Sequence, residues 1–232
     1  MLFVTGTSTD VGKTIVTAAL ATLGLKRGTV AVVKPGQTGV AADEPGDLAE
    51  IARLAGPVSC HELVRYPSAL SPAAAARLDG RDPLDPAQLY DLLLGLREDL
   101  ILVEGAGGLL VRFDEDGLTL ADMARALRAR VLVVVDPALG TLNHTALTLE
   151  ALAHRGVDLE GIVLGSWPAA PGLAERSNLR DLEMLAARPL LGALPAGASG
   201  AADFFAVARE SLAPQLGGTW DARAFRRRWD PP

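Results

Sequence analysis

The sequence alternates between short, wholly apolar runs and longer segments with helical periodicity. Because successive residues of these runs are apolar, they predict strands that are buried on both faces of a sheet. Strands that alternate with helices of this size indicate a parallel sheet built from right-handed β-α-β units. The predicted strands are 2–6, 30–35, 100–105, 130–136, 161–166 and 190–195, and the predicted helices are 13–27, 47–55, 86–97, 119–128, 142–155, 174–187 and 201–212.

The composition agrees with one such domain. Of the 232 residues, 49% are hydrophobic but only 4% aromatic, so the core must be aliphatic. We therefore predict a single-domain α/β fold, with a mainly parallel sheet flanked by helices on both faces. Residues 1–216 form this domain, and 217–232 form a C-terminal tail whose arginines predict a solvated segment or a subunit contact. The proline-rich stretch 56–85 predicts an irregular excursion, with a short helix near SPAAAARL and a capacity to carry substrate-binding groups.

Charge and cysteine content exclude several classes of function. The net charge is −6, whereas nucleic-acid binding usually needs a basic face. No apolar run has the length of a membrane span, and no basic segment followed by an apolar stretch marks a signal peptide. The single cysteine, Cys60, excludes an internal disulfide framework and a cysteine-based metal site. We expect a cytoplasmic protein that binds neither nucleic acid nor membrane.

The stretch FVTGTSTDVGKT resembles a phosphate-binding loop with one extra residue. The pattern G-x-x-x-x-G-K-[ST] requires glycine at position 7, but Thr7 stands there and the glycine is Gly6. The context of strand, glycine-rich turn and helix nevertheless favours a phosphate site, since backbone N–H groups and the helix dipole converge there. Lys13 would reach the outer phosphates and Thr14 would bind Mg²⁺. The nucleotide-binding residues predicted in this loop are Asp10, Val11, Gly12, Lys13, Thr14 and Ile15.

Further chemistry is predicted at the carboxyl ends of other strands, where ligands bind in open α/β sheets. Lys34 ends the second apolar run, and Thr38 follows it as a candidate substrate ligand. Glu104 occupies the place of a Walker-B acid and, with Asp47 and Thr14, would hold magnesium. From spacing alone Asp47 could equally be an ordinary acid in the first turn of a helix. Residues Gly105, Ala106 and Gly107 lack bulky side chains and would let a nucleotide approach the backbone.

These motifs together resemble the dethiobiotin synthetase family, whose members have a P-loop NTPase-like fold. The resemblance rests on GTSTDVGKT, KPGQTG, Asp47, EGAGG and LGTLNH in this order, and it covers nearly everything before the tail. The elongated loop is itself typical of that family. The resemblance implies an ATP-dependent ligase of biotin synthesis that joins CO2 to 7,8-diaminopelargonate and closes a cyclic urea. A carbamate and a mixed anhydride with phosphate would be the intermediates, with Lys13 and Lys34 as the catalytic residues.

The resemblance also implies a substrate site that spans a homodimer. In the family, the helix that follows the strand 130–136 binds the substrate's carboxylate tail from the partner subunit. Helix N-termini favour such anions. The candidate tail-binding residues are Leu139, Gly140, Thr141 and Asn143.

The base-binding region departs from the family pattern. Many members carry an Asn-Asp pair where this chain has Gly165 and Ser166. We therefore predict that the base contacts the backbone near Gly165, Ser166, Pro195, Ala196 and Gly197. Discrimination among ATP and other nucleoside triphosphates should be weak.

Two other functions fit parts of the sequence. One is a related amidoligase of the cobyrinate type, but those enzymes normally carry an additional glutaminase domain with a catalytic cysteine. The other is a non-catalytic nucleotide switch of the chromosome-partitioning or septum-positioning type. Such switches carry a lysine near the start of the phosphate loop, where this chain has Phe3, Val4, Thr5 and Thr7 and no lysine among them.

Overall fold

Seven strands and nine helices alternate along residues 1–229, which are the residues that the computed structural model describes. The strands are β1 (Leu2–Gly6), β2 (Val30–Thr38), β3 (Ser59–Tyr66), β4 (Leu100–Gly108), β5 (Arg130–Val135), β6 (Leu159–Trp167) and β7 (Gly192–Pro195). The helices are α1 (Lys13–Gly24), α2 (Asp47–Ala55), α3 (Pro72–Asp79), α4 (Pro86–Gly95), α5 (Leu120–Ala126), α6 (Thr141–His154), α7 (Leu173–Ala186), α8 (Phe204–Ser211) and α9 (Ala222–Trp229).

All seven strands join one parallel sheet in the order β3-β2-β4-β1-β5-β6-β7. Strand β1 lies in the middle, between β4 and β5, and its connection leaves in the opposite direction from theirs. This is a topological switch point, where the carboxyl ends of the strands form a crevice that binds ligands. The loop after β1 opens into that crevice.

The crossover directions assign helices to two layers. The connections through α1 and α2 run one way along the sheet, whereas those through α3 to α7 run the other way. Since such crossovers are right-handed, opposite directions put the helices on opposite faces. Helix α8 contacts α1 and α2 and belongs to their layer. The predicted parallel sheet, covered on both faces, is confirmed.

The core follows the aliphatic composition. Residues 131–135 of β5 are fully buried, as are Phe3 and Val4 of β1 and Leu102 and Val103 of β4. Strands buried on both faces explain why these runs are apolar throughout. Among the described residues, no helix has the length and hydropathy that a membrane crossing requires.

Strand β3 corrects the prediction for residues 56–85. Half of the predicted excursion is regular: β3 pairs with β2, and α3 forms where SPAAAARL predicts a helix. The sequence of β3, SCHELVRY, mixes polar and apolar residues because it is an edge strand whose side chains are mostly half-buried or exposed. Pairing with β3 also extends β2 to Thr38, beyond the predicted end at residue 35.

The segment after residue 216 is only partly a tail. Helix α9 packs aromatic side chains against the sheet, so the prediction of a solvated segment is wrong for Phe225 and Trp229, which lie against the core. Residues 230–232 lie outside the described residues. The arginines of this segment lie on the same helix as the two aromatic side chains. Their charges hid the apolar face of α9 in the sequence.

Candidate active site

The loop between β1 and α1 has the geometry of an anion-binding turn. Gly12 adopts a left-handed φ of 95°, directly before Lys13 begins the helix. A Cβ atom on Gly6 would lie 2.6 Å from Val11 Cγ2 and 2.7 Å from the Ser8 carbonyl oxygen. The close turn therefore requires glycine at position 6, while Thr7 donates its backbone N–H to Val134 at 3.1 Å.

Lys13 is buried beneath this loop, with 8% of its surface exposed. Its Nζ donates to the Ser8 carbonyl oxygen at 2.9 Å. Burial lowers the pKa of Lys13, and repulsion from the nearby Lys34 ammonium lowers it further. An anion placed beside Lys13 would offset both effects by favouring its charged form, as the predicted phosphate-binding role requires.

A second lysine forms the centre of a charged cluster at the ends of β2 and β4. The Lys34 Nζ lies 2.5 Å from Asp47 Oδ2 and 2.8 Å from Glu104 Oε1, and it donates to the Gly105 carbonyl at 3.1 Å. Burial opposes the charge on Lys34, but the two carboxylates outweigh burial and raise its pKa. Burial likewise acts to raise the pKa of Asp47, and the attraction of Lys34 reverses this and lowers it. Lys34 and Asp47 are thus both ionised at neutral pH.

Glu104 and Thr14 connect this cluster to the loop after β1. Glu104 is fully buried, and its Oε1 accepts hydrogen bonds from Lys34 and from Thr14 Oγ1, the latter at 3.1 Å. Its Oε2 has no hydrogen-bond partner among the described residues. A buried carboxylate oxygen without a partner is costly, and a hard cation would satisfy it.

The donor set fits magnesium. Among residues 1–229, no cluster of three or more His, Cys, Asp or Glu side chains forms a closed metal site. Thr14, Asp47 and Glu104 instead offer one hydroxyl and two carboxylates. Mg²⁺ keeps several waters and is commonly held by one or two carboxylates together with substrate phosphates. These residues would therefore hold the cation jointly with a nucleotide.

A cleft of about 750 Å³ joins the two lysines. The predicted residues that line it are Asp10, Gly12, Lys13, Thr14, Lys34, Thr38, Asp47, Ala106 and Gly107. Val11 and Glu104 are buried behind it, Gly105 contributes its carbonyl oxygen to Lys34, and Ile15 is half-buried. The cleft also has an apolar wall that sequence reasoning missed, formed by Val40, Ala69, Leu70, Pro72 and Val111.

Two polar residues that position Asp47 were also missed. Gln37 is buried, and its Oε1 accepts the backbone N–H of Asp47 at 2.9 Å. Arg65 on β3 donates to the carbonyls of Ala41 and Glu44 at 2.9 and 2.7 Å, in the loop that leads into Asp47. A polar glutamine within a buried run was a signal for Gln37. Arg65 had no signal, because its strand was not predicted.

The predicted base-binding residues lie along the same edge of the sheet and form what we call the base edge (residues 165–166 and 195–197). A Cβ atom on Gly165 would lie only 1.8 Å from the Val11 carbonyl oxygen. Gly165 therefore packs against the phosphate loop and leaves no room for an asparagine. Ser166 and residues 195–197 are exposed, and Ala196 donates its N–H to the Trp167 carbonyl at 2.8 Å.

None of the predicted tail-binding residues is among the residues that line the cleft of their own chain. Leu139 is 90% exposed, and Gly140 precedes α6 with a left-handed φ of 99°. Thr141 is buried and Asn143 is exposed, and neither lines the cleft. Their role in binding the substrate tail of a partner subunit stays a prediction.

The parallel sheet, the phosphate loop at its switch point and the lysine-carboxylate cluster define a P-loop NTPase. The sequence profile described as an AAA domain matches residues 1–199. The chain is 58% identical to the ATP-dependent dethiobiotin synthetase BioD of Parafrankia sp. (strain EAN1pec), over 99% of this chain and 98% of the relative. It is 59% identical to the protein of the same name from Frankia casuarinae, with the same coverage. The chain belongs to the dethiobiotin synthetase family.

A solved structure agrees with the fold. The septum site-determining protein MinD of Pyrococcus horikoshii, complexed with Mg-ADP, matches with a TM-score of 0.51. The match covers 90% of this chain and 96% of MinD, at 20% identity. Similarity at this level concerns the fold alone.

Proposed function

We propose that the protein is an ATP-dependent dethiobiotin synthetase of biotin biosynthesis. It would join CO2 to one amine of 7,8-diaminopelargonate and close the five-membered urea ring at the expense of ATP. Relatives at 58% and 59% identity across the chain carry this name. Within the site, the observation that carries the proposal is the convergence of Lys13, Lys34 and Asp47 on the cleft beside the phosphate loop, with Glu104 buried behind it and paired with Lys34.

The proposed reaction has three balanced steps. One amine of the substrate attacks CO2 and loses a proton, which gives a carbamate. A carbamate oxygen then attacks the γ-phosphorus of ATP, ADP leaves, and a carbamic-phosphoric anhydride forms. The second amine attacks the carbonyl carbon, and phosphate leaves together with the remaining proton as the ring closes. Phosphoryl transfer of this kind depends on positioning and charge neutralisation rather than on a protein nucleophile.

The residues of the cleft suit these steps. Lys13 would hold the β- and γ-phosphate oxygens, and its own burial makes that anion favourable. Lys34 would exchange a carboxylate partner for a carbamate or γ-phosphate oxygen when the ligands bind. Thr14, Asp47 and Glu104 would hold magnesium, which neutralises phosphate charge when bound. Thr38 lines the same cleft as Lys34 and would contact the diamine there.

Product analysis tests the proposal. The protein is incubated with diaminopelargonate, bicarbonate, magnesium and ATP, and the cyclic urea is sought by mass spectrometry. Phosphate release is followed in parallel, with the diamine or the bicarbonate omitted. A ligase releases phosphate only when both are present. Phosphate release without the diamine, and no urea product, would instead indicate a nucleotide switch.

Several properties of the protein belong to the same proposal. The homodimer is needed if the α6 N-terminus binds the substrate tail. Residues 1–216 as the catalytic domain, the cytoplasmic location, and the use of other nucleoside triphosphates remain predictions, as does the absence of nucleic-acid and membrane partners.

A further inference from the structure

The C-terminal segment is anchored to the domain rather than loosely attached. Thr219 donates its backbone N–H to Arg209 at 2.7 Å, and Trp220 donates to Leu212 at 3.0 Å. In α9, Arg226 forms an ion pair with Glu183 of α7. These contacts hold the segment at α8 and α7, and the segment lies beyond residues 1–199 that the family profile matches.

All three tryptophans of the chain meet in this region. With Phe225 they form an aromatic cluster (Trp167, Trp220, Phe225 and Trp229). The Phe225 ring is 5.1 Å from Trp167, 5.2 Å from Trp220 and 6.5 Å from Trp229, measured between centroids. None of the three indole N–H groups has an acceptor among the described residues. The cluster is therefore held by apolar burial and ring packing, with Phe225 at its centre.

The aromatic cluster is connected to the base edge in two ways, by the continuous chain at Trp167 and by a backbone hydrogen bond. Trp167 directly follows Ser166 at the end of β6. Its side chain lies under α9, and only 5% of it is exposed. Its carbonyl oxygen accepts the N–H of Ala196, and the strand register pairs Trp167 with Pro195. Both exposed parts of the base edge thus depend on where Trp167 lies.

We propose that the aromatic cluster positions the base edge and thereby sets nucleotide affinity through the base and ribose rather than through the phosphates. The proposal rests on the proposed function, which assigns the base to residues 165–166 and 195–197. Gly165 cannot carry a recognising side chain, so recognition depends on backbone and Ser166 atoms whose positions must be fixed by their surroundings. Phe225 is then a positioning residue, acting through Trp167.

Tryptophan fluorescence tests the connection directly. Because every tryptophan of the chain lies in the aromatic cluster, a ligand at the base edge should change the emission. ATP is compared with inorganic triphosphate, which can occupy the phosphate loop but has no base. We expect a saturable change with ATP and none with triphosphate, with binding of both confirmed by calorimetry. Equal changes, or ATP binding without any change, would overturn the proposal.

Substitution of Phe225 provides the second test. In Phe225→Ala the KM for ATP should rise about tenfold while kcat changes by no more than about twofold. Inhibition by inorganic triphosphate should be unaffected, and Phe225→Leu, which retains apolar volume, should restore most of the affinity. Arg227→Gln, an exposed position on the same helix, is the matched control. An unchanged KM would refute the role, as would weaker inhibition by triphosphate, since that indicates a general loss of structure.

The two proposals fail in different ways. If no cyclic urea forms but ATP alone changes the fluorescence, the positioning role stands and the ligase assignment falls. If the urea forms and Phe225→Ala leaves the KM unchanged, the ligase assignment stands and the positioning role is refuted.

Discussion

At the scale of single residues, the two buried lysines differ in their charge environment. Lys13 has a carbonyl partner and a lowered pKa, whereas Lys34 has two carboxylate partners and a raised pKa. A lysine with a lowered pKa gains most from an incoming anion, while one already paired must exchange partners. This difference supports phosphate binding by Lys13 and a role for Lys34 at the reacting oxygens.

Replacing Lys34 tests its part in the reaction. Lys34→Gln removes the charge but keeps an amide that can donate to Glu104. Dethiobiotin formation should fall at least about 100-fold, because charge stabilisation in the transition state is lost. The rate is measured by mass spectrometry, after circular dichroism has shown a folded protein at the assay temperature. Lys26→Gln is the control, since Lys26 lies over the Phe205 ring, away from the cleft. Retained activity in Lys34→Gln would remove it from the mechanism.

The lowered pKa of Lys13 predicts proton uptake on nucleotide binding. Above its lowered pKa and below its ordinary value of 10.5, Lys13 is partly neutral in the free protein. Phosphate oxygens favour the ammonium form, so binding in this alkaline range should take up protons. Calorimetry in two buffers of different ionisation enthalpy measures the uptake, and Lys26→Gln should retain it. Binding without uptake across that range would contradict the assignment.

The lowered pKa of Lys13 also makes a contribution to how the stability of the free protein depends on pH. Folding lowers the proton affinity of Lys13, so the unfolded state binds more protons in this range. The contribution of Lys13 to the free energy of unfolding therefore rises with pH through its folded pKa. For Asp47 the cause differs, because its pKa is lowered by stabilisation of the charged form. Its contribution to the free energy of unfolding is fully present above pH 3.8 and is lost as the pH falls through its lowered pKa.

At the scale of elements, the sequence predicted six of the seven strands in the described residues and most helices, because buried parallel strands are apolar at every position. It missed β3, an edge strand whose polar residues follow from its exposure. It also missed that α9 covers Trp167. Lys13, Lys34 and Glu104 could be predicted because each ends or follows an apolar strand. Arg65 and the apolar wall could not, since they depend on β3 and on the loop before α3.

Strand β3 affects the site through Arg65. Besides the two loop carbonyls, its guanidinium pairs with Glu62 at 2.6 and 2.9 Å. In Arg65→Gln the loop before Asp47 should loosen. The magnesium concentration for half-maximal activity should then rise about tenfold, as for other groups that orient metal ligands. Magnesium titration of initial rates measures the effect, and Arg77→Gln, which removes an exposed ion pair with Glu115, is the control. An unchanged magnesium requirement would exclude this role.

The end of β6 is the proposed place of base recognition. Since Gly165 has no room for a side chain, no amide can read the purine edge from that position. A side-chain hydrogen bond to the base would favour one nucleotide by roughly tenfold. Because this position cannot supply one, we expect the KM values for ATP, CTP and GTP to agree within about tenfold. Initial rates of urea formation with each nucleotide provide the comparison. A strong preference for ATP would show that another group reads the base.

At the scale of the whole molecule, one chain supplies nearly all of the candidate site. The phosphate loop, both lysines and both carboxylates come from residues 6–104 and meet at one edge of one sheet. The predicted tail-binding residues at the α6 N-terminus are the exception, because none of them lines this cleft and Leu139 is exposed. A single chain would then bind nucleotide but would lack the anion site for the carboxylate tail of the substrate.

Complementation between two damaged subunits tests this arrangement. Asn143→Asp places an acid in the first turn of α6, where it suits the helix dipole but repels an anionic tail. Alone, it should raise the KM for diaminopelargonate at least about tenfold, because like charges placed together cost several kcal/mol. If the proposed homodimer forms, co-expression with Lys34→Gln under two affinity tags gives a mixed dimer that pairs an intact cleft with an intact α6.

The mixed dimer separates the two possible geometries. If α6 serves the partner's cleft, one of its two sites is fully intact, and at low diamine it should show about half of the unmodified activity. If α6 serves its own cleft, each chain carries one lesion in its own site, and no activity is recovered. Because both variants are weak alone at low diamine, recovered activity can only come from residues supplied across the interface.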